Sequence, residues 1–230
     1  RHLSSYPVEF IAFCTSLVST TILILFSKKL GGVKNTLLMP KLKLRIFRGL
    51  IISLSCFLSY VAFMNLEMTT AYALIFMAPI LAKIVSVFLV KEPIKPISWI
   101  LSAVGFLGVL IVLRPGSIPF NIGTISAIGL AICFAFGHTL ARFIGKENQT
   151  FLSLAFFQYF FIALFSSIPA YFAFQHIQYI PPFDWLLLFG IGVFGVTGGV
   201  LVSTSFSQAP VAYIAPIHYC QIILGTLWGY

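Results

Sequence analysis

The length of the uncharged apolar runs constrains this chain more than any other feature. Eight segments, at approximately 7–27, 46–65, 69–90, 96–114, 122–143, 150–174, 183–204 and 209–230, are apolar throughout most of their length. A bilayer core of ~30 Å needs roughly 20 such residues in a helix. The runs are too long for barrel strands and lack their two-residue alternation. Composition agrees: 60% of the 230 residues are hydrophobic and 8% are charged, against about 25% charged in an ordinary soluble domain. That excludes a soluble enzyme and an intrinsically disordered chain. The expected fold is an all-α, multi-pass integral membrane protein.

The net charge of +9 is placed unevenly. Lys28, Lys29, Lys34, Lys41, Lys43, Arg45 and Arg48 fall together between the first two apolar runs, with no acid among them. This reads as a membrane-flanking loop that contacts anionic lipid, at about 1 kcal/mol per residue near the surface. No folded basic face is built, so nucleic acid is not an expected partner. The first, third and fifth loops hold 11 basic residues, and the second, fourth and sixth hold one, Arg114. The odd loops are therefore cytoplasmic, and the first visible span runs from outside to inside.

Prolines punctuate the spans: Pro93 and Pro96, Arg114-Pro115-Gly116, and Pro181-Pro182. Asn148-Gln149-Thr150 has the form of a glycosylation site but falls on the cytoplasmic side. Cys14, Cys56, Cys133 and Cys220 each lie inside an apolar run without CxxC spacing. They read as packing residues, with neither a metal site nor a disulfide framework. Gly195 and Gly199 form a small-xxx-small pair that permits close helix packing. No Lys-Ser/Thr follows them, so this is no phosphate loop, no cofactor is implied and ATP is not a direct drive.

The most informative stretch runs Thr70-Ala71-Tyr72-Ala73, Met77-Ala78-Pro79, Leu89-Val90-Lys91-Glu92, and then Val104-Gly105-Phe106-Leu107-Gly108-Val109-Leu110 through Arg114-Pro115-Gly116. A proline within a span loosens the backbone there. This pattern resembles the EamA-type family of the drug/metabolite transporter superfamily. The resemblance implies ten helices in two five-helix repeats of inverted topology, of which eight are visible here. Residues 1–116 would be the first repeat without its first helix, and 117–230 the second without its last. Ser207-Gln208-Ala209-Pro210, with Tyr213, Pro216, His218 and Tyr219 after it, is the fainter counterpart in the second repeat. Family members often carry an Arg about five residues after a Glu in the second helix. Here Glu9 is followed by Cys14, so that anion-reading group is absent.

Ionisable groups inside a membrane mark sites by default, because each costs about 2.5–3.5 kcal/mol at a helix centre. Lys83, one turn after Pro79, is a candidate substrate contact for an anionic group, or a lysine snorkelling to the cytoplasm. His138 and His218 are candidates for proton coupling, with His218 also a substrate contact, and packing is the alternative for both. Tyr219, Tyr72, Tyr213 and Gln158 are candidate substrate contacts, their rings suited to a planar metabolite, although most aromatics in such a chain pack or face lipid. Glu92 reads as a helix-end gate contact to Lys91 or Lys95, and Pro79 and Pro216 as backbone hinges.

The expected function is secondary transport of a small organic metabolite by alternating access between the repeats, ion- or exchange-coupled. The expected location is the bacterial inner (cytoplasmic) membrane, and a homodimer is compatible with the sequence. The alternatives are an integral membrane enzyme and a non-transporting structural or sensory subunit. Against the enzyme, the five acids and four histidines are scattered and no HExxH or GxSxG occurs.

Overall fold

The computed structural model describes residues 3, 6–29, 32–36, 40–116, 118–145, 151–175, 177 and 179–222. Among them the elements are all helical: α1 (Val8–Lys29), α2 (Val33–Thr36), α3 (Leu42–Asn65), α4 (Met68–Ile75), α5 (Ala78–Leu89), α6 (Pro96–Leu113), α7 (Ile122–Gly145), α8 (Phe151–Phe174), α9 (Pro182–Gln208), α10 (Val211–Ile214) and a 3₁₀ segment (Ala215–Tyr219). Seven segments among the described residues are long and apolar enough to span a membrane, counting α4 and α5 as one. Many outward-facing side chains are large and apolar, for example Ile111, Phe88 and Phe194. In water such a surface would aggregate; in lipid it needs no partner.

The expected eighth span, 209–230, differs from a single helix as far as it is described. Pro210 caps α10, and Pro216 sits in the first turn of the 3₁₀ segment. Two prolines so close remove two backbone donors and shorten the helix they interrupt. Residues 223–230 and the Asn148-Gln149-Thr150 sequence lie outside the described residues.

The expected span 69–90 is a broken helix. α4 ends at Ile75 and α5 begins at Ala78, with Pro79 in its first turn. Pro79 has no N–H to continue the ladder, so the chain tightens before it. The Met77 N–H donates to the Leu74 carbonyl and the Ile80 N–H to the Met77 carbonyl, both three residues back. α6 starts on Pro96 after an extended Lys95 and stops at Arg114, whose φ of 45° is left-handed. The following Pro115 disfavours a further α-helical turn at that residue.

The chain separates into two compact units, Arg1–Ser53 with Asn148–Thr204, and Leu54–Glu147 with Ser205–Tyr230. Each draws on both halves of the sequence. The first unit is dominated by α1 against α8, with a core of Leu23, Ala155 and Val196. Glycines set its close approaches: a Cβ at Gly192 would lie 2.8 Å from Val18, and one at Gly49 2.8 Å from the Phe157 backbone. Tyr159 of α8 lies over the Gly195–Gly199 face of α9, its hydroxyl donating to the Gly195 carbonyl at 2.5 Å. The second unit packs α7 against α4 and α5, around Ala62, Ala71, Leu74 and Ala127.

The basic stretch is shorter as a loop than the charges suggested. α3 begins at Leu42, so Arg45 and Arg48 are helical and buried in the first unit. Arg48 donates to the Leu154 carbonyl and to Ser203 Oγ, and Arg45 to the Pro40 carbonyl. Acceptors on neighbouring helices make the burial of Arg48 tolerable.

Candidate functional site

A pocket in the second unit gathers several of the expected site residues. Pro79 and Ala82 of α5, Phe134 and His138 of α7, Phe206 of α9, His218 of the 3₁₀ segment and Gln221 line it. The broken backbone at Phe76–Met77 and the 3₁₀ segment bring the walls together. His138 stacks on Phe206 with ring centroids 4.3 Å apart and 16° between planes. His218 lies 5.6 Å from His138 and 5.7 Å from Phe206. Gln221 Nε2 approaches His218 Nδ1 at 3.4 Å. Among the described residues no Asp, Glu, Lys or Arg lines the space. Its chemistry is two imidazoles and an amide among ring faces, which suits a neutral heteroaromatic or a cationic group over an anion. The cavity is about 50 Å³ in this conformation, room for one or two waters at about 30 Å³ each. A metabolite needs about 300 Å³ or more, so the walls must part to admit one. Among the described residues no three His, Cys, Asp or Glu side chains converge as a metal centre would require.

Tyr72 and Tyr219 reach this pocket through Phe76, which lines it. Ring centroids are 6.3 Å apart for Tyr72 and Phe76 and 6.1 Å for Phe76 and Tyr219. Tyr219 lies against Gly105 of α6, where a Cβ would come within 2.5 Å of its ring. The Tyr219 hydroxyl is buried and has no hydrogen-bond partner among the described residues. Gly105 thus makes a close contact, whereas a Cβ at Gly108 would meet nothing within 4 Å. Gln158 is half-buried on α8 in the first unit.

Tyr213 and Pro216 line a second cavity, of about 380 Å³, with Glu92, Pro93, Lys95, Ser98 and Leu101. It sits beside the α5–α6 connection, which the basic-residue count assigns to the cytoplasmic side.

Lys83 lines neither cavity. Its side chain is fully buried, and Nζ donates to the Ser98 carbonyl at 2.5 Å, Ser98 Oγ at 2.8 Å and Ser102 Oγ at 2.6 Å. It neither snorkels to an interface nor presents its ammonium to the ring-lined pocket. Glu92 holds Arg142 of α7, with Oε1 2.7 Å from Nε, and accepts from the Val211 N–H at 3.3 Å. Arg142 also donates to the Ser207 carbonyl. Arg142 therefore points inward, and the ion pair ties the α5–α6 connection to α7 and to the start of α10. Sequence spacing had suggested Lys91 or Lys95 as the partner, since a contact 50 residues away has no local signature.

With this geometry in place, similarity to known proteins becomes interpretable. The model of the EamA-like transporter family matches residues 1–114. An S-adenosylmethionine uptake transporter of Rickettsia bellii is 28% identical over 99% of this chain and 75% of its own length. A pseudopaline exporter of Pseudomonas aeruginosa is 24% identical over 99% of this chain and 78% of its own. A riboflavin transporter of Vibrio cholerae is 21% identical over 69% of this chain and 52% of its own. A crystal structure at 17% identity superposes with a TM-score of 0.79, over 98% of this chain and 80% of that one, and so shares the fold. Residues 1–114 of this multi-pass membrane chain thus match the EamA-like transporter family, the family that the Pro79–Gly116 pattern resembles.

Proposed function

We propose that this chain is a secondary transporter that moves a small organic metabolite across a bacterial inner membrane by alternating access. The observation that carries the reading is the pocket in the second unit. It collects His138 of α7 with His218 and Gln221, about 80 residues further on, in a chain of which only 8% is charged. Relatives named for S-adenosylmethionine uptake and riboflavin transport support a small-metabolite cargo. The two imidazoles contact the solute through ring faces and hydrogen bonds, and Pro79 and Pro216 supply the backbone breaks about which the walls part. Protonating either imidazole would place a cation among the rings, so binding is pH-sensitive. The repeats are 1–116 and 117–230, and Tyr72, Tyr213, Tyr219 and Gln158 extend the solute path as the cavity opens.

The test is uptake of labelled S-adenosylmethionine, riboflavin and a wider metabolite panel by cells expressing the chain, with His138→Leu and His218→Leu beside it. Saturable uptake or efflux of one solute class, reduced about tenfold or more by either change, is the expected result. Movement of a solute that neither change alters would place the binding site elsewhere.

A further inference from the structure

Lys83 has a design that the pocket does not use. It is an ionisable group, fully buried, whose acceptors are all neutral. Among the described residues it makes no ion pair. Three acceptors match the three protons of an ammonium. Ser98 Oγ also donates to the Ala212 carbonyl at 3.0 Å, which commits its own proton and makes it an acceptor toward Lys83. Ser102 Oγ makes no second bond among the described residues, so its hydroxyl can turn. If Nζ gives up one proton, its two remaining N–H groups keep the Ser98 carbonyl and Ser98 Oγ. The Ser102 hydroxyl then turns to donate to the freed lone pair. The cage is satisfied in both protonation states, and no carboxylate within it pins the proton. A structural lysine in lipid would gain most from a carboxylate partner.

The cage also has an outlet. Ser98 lines the 380 Å³ cavity, which has room for about a dozen waters. We propose that Lys83 is a proton-carrying site, loaded and unloaded through this inner cavity by way of Ser98, and that it couples solute movement to a proton gradient. The proposal rests on the transporter reading above. In the unloading step Nζ passes one proton to Ser98 Oγ while the Ser98 hydroxyl proton leaves the Ala212 carbonyl for a cavity water; the amine then rotates about Cε–Nζ so that its lone pair faces Ser102, and the Ser98 hydroxyl turns back to Ala212. Serine is regenerated, the ammonium becomes an amine and one proton leaves with the water. Loading is the reverse.

The other charged or titratable groups on elements packed against α5 are accounted for. α6 carries Lys95 and Arg114 at its two ends. α7 carries Cys133, His138 and Arg142, the last paired with Glu92. α10 carries Tyr213, and the 3₁₀ segment His218 and Tyr219. None of them bonds to Nζ, so the proton on Lys83 is not shared with another titrating side chain.

The protein is reconstituted in liposomes with labelled S-adenosylmethionine and riboflavin. Counterflow, one solute molecule exchanged for another, requires no net proton movement. Accumulation driven by an imposed pH gradient requires it. Lys83→Met holds no proton there, and Lys83→Arg never releases one. Both are expected to keep counterflow within about twofold and to lose gradient-driven accumulation by about tenfold or more. Ser98→Ala keeps the lysine and is expected to slow accumulation alone. A gradient response unchanged in Lys83→Met overturns the proposal, as does a parallel loss of both modes in all three variants, which a substrate contact or a structural strut would give. If the unaltered protein carries neither solute, the transporter reading fails for those solutes and a second measurement decides on Lys83. In ¹⁵N-lysine-labelled protein in nanodiscs, the Nζ signal absent from Lys83→Met should exchange its protons with deuterated solvent, more slowly in Ser98→Ala. A Lys83 signal that stays protonated for as long as the backbone amides of α5 overturns the proposal.

Discussion

Replacing Glu92 by Gln removes one charge from a nearly sealed pair and leaves Arg142 uncompensated. The two side chains are 9% and 13% exposed, so water screens them little. Charges about 4 Å apart at an effective dielectric near 20 attract by about 4 kcal/mol, and breaking a buried pair from one side typically costs about 3–5 kcal/mol. Gln retains an oxygen that can accept either from Arg142 or from the Val211 N–H, but not a charge. The expected loss is about 3 kcal/mol. Arg142→Gln should lose a similar amount, and because it also removes the Arg142 bond to the Ser207 carbonyl, no less. The double variant has no stranded charge. It should be more stable than the sum of the single losses predicts, by about 2 kcal/mol. The measurement is unfolding of the reconstituted protein by SDS in mixed micelles, followed by helical circular dichroism. Single losses below about 0.5 kcal/mol, or strict additivity in the double variant, would refute the argument that this pair ties α7 to the α5–α6 connection.

Three further outcomes follow from contacts of the same kind. Tyr159→Phe removes the bond to the Gly195 carbonyl and should cost about 1 kcal/mol in the same unfolding assay, the usual scale for such bonds in membrane proteins. Gly145→Ala places a Cβ 2.6 Å from the Ser207 carbonyl oxygen and 2.7 Å from its Cα. Backbone cannot rotate away as a side chain can, so a loss of about 1–3 kcal/mol is expected. Tyr6 lies outside the spans, and its hydroxyl donates to Asp184 Oδ2 at 2.6 Å. That bond, with smaller contributions from burial and from the carboxylate's charge, holds the phenol above its ordinary value of 10.0. A group raised in the folded state stabilises fully below its unfolded value, and that contribution is lost as pH rises through the folded one. Ultraviolet titration of the unaltered chain and of Asp184→Asn should show the Tyr6 phenol ionising at lower pH in the variant.

Much of the fold was legible because lipid leaves few choices. Long runs without charge had to be helices, and Pro79 and Pro115 interrupt or end them while Pro96 opens one. The histidines were legible as candidates for the same reason, since an imidazole within a span must earn its place. Their meeting was not legible. His138 and His218 are 80 residues apart in sequence, and only the packing of the 3₁₀ segment against α5 and α6 brings the second wall of the pocket into position. The two arginines at the start of α3 failed as loop residues for a related reason. The acceptors of Arg48, Leu154 and Ser203, belong to α8 and α9, and a charge with an invisible partner reads as solvated.

Lys83 shows how such a partner could have been found. The connection between α5 and α6 is short, so the two helices run antiparallel as neighbours. Depth in the membrane is then read by counting outward from the turn. Lys83 lies nine residues before Glu92, and Ser102 lies nine residues after Pro93. Ser98 and Ser102 are the two hydroxyl-bearing residues of α6 and stand four apart, on one face. One face carrying two hydroxyls, at the depth of a lysine on the next helix, is the arrangement that satisfies an ammonium without a carboxylate. The same count places no serine, acid or amide of α6 opposite Pro79, where the ring-lined pocket lies. The helix pair thus spends its polar side chains on the lysine and leaves the pocket to groups that come from α7 and from the end of the chain. Helix pairing across a short turn was enough to locate the cage, while the pocket required contacts between segments that no turn connects.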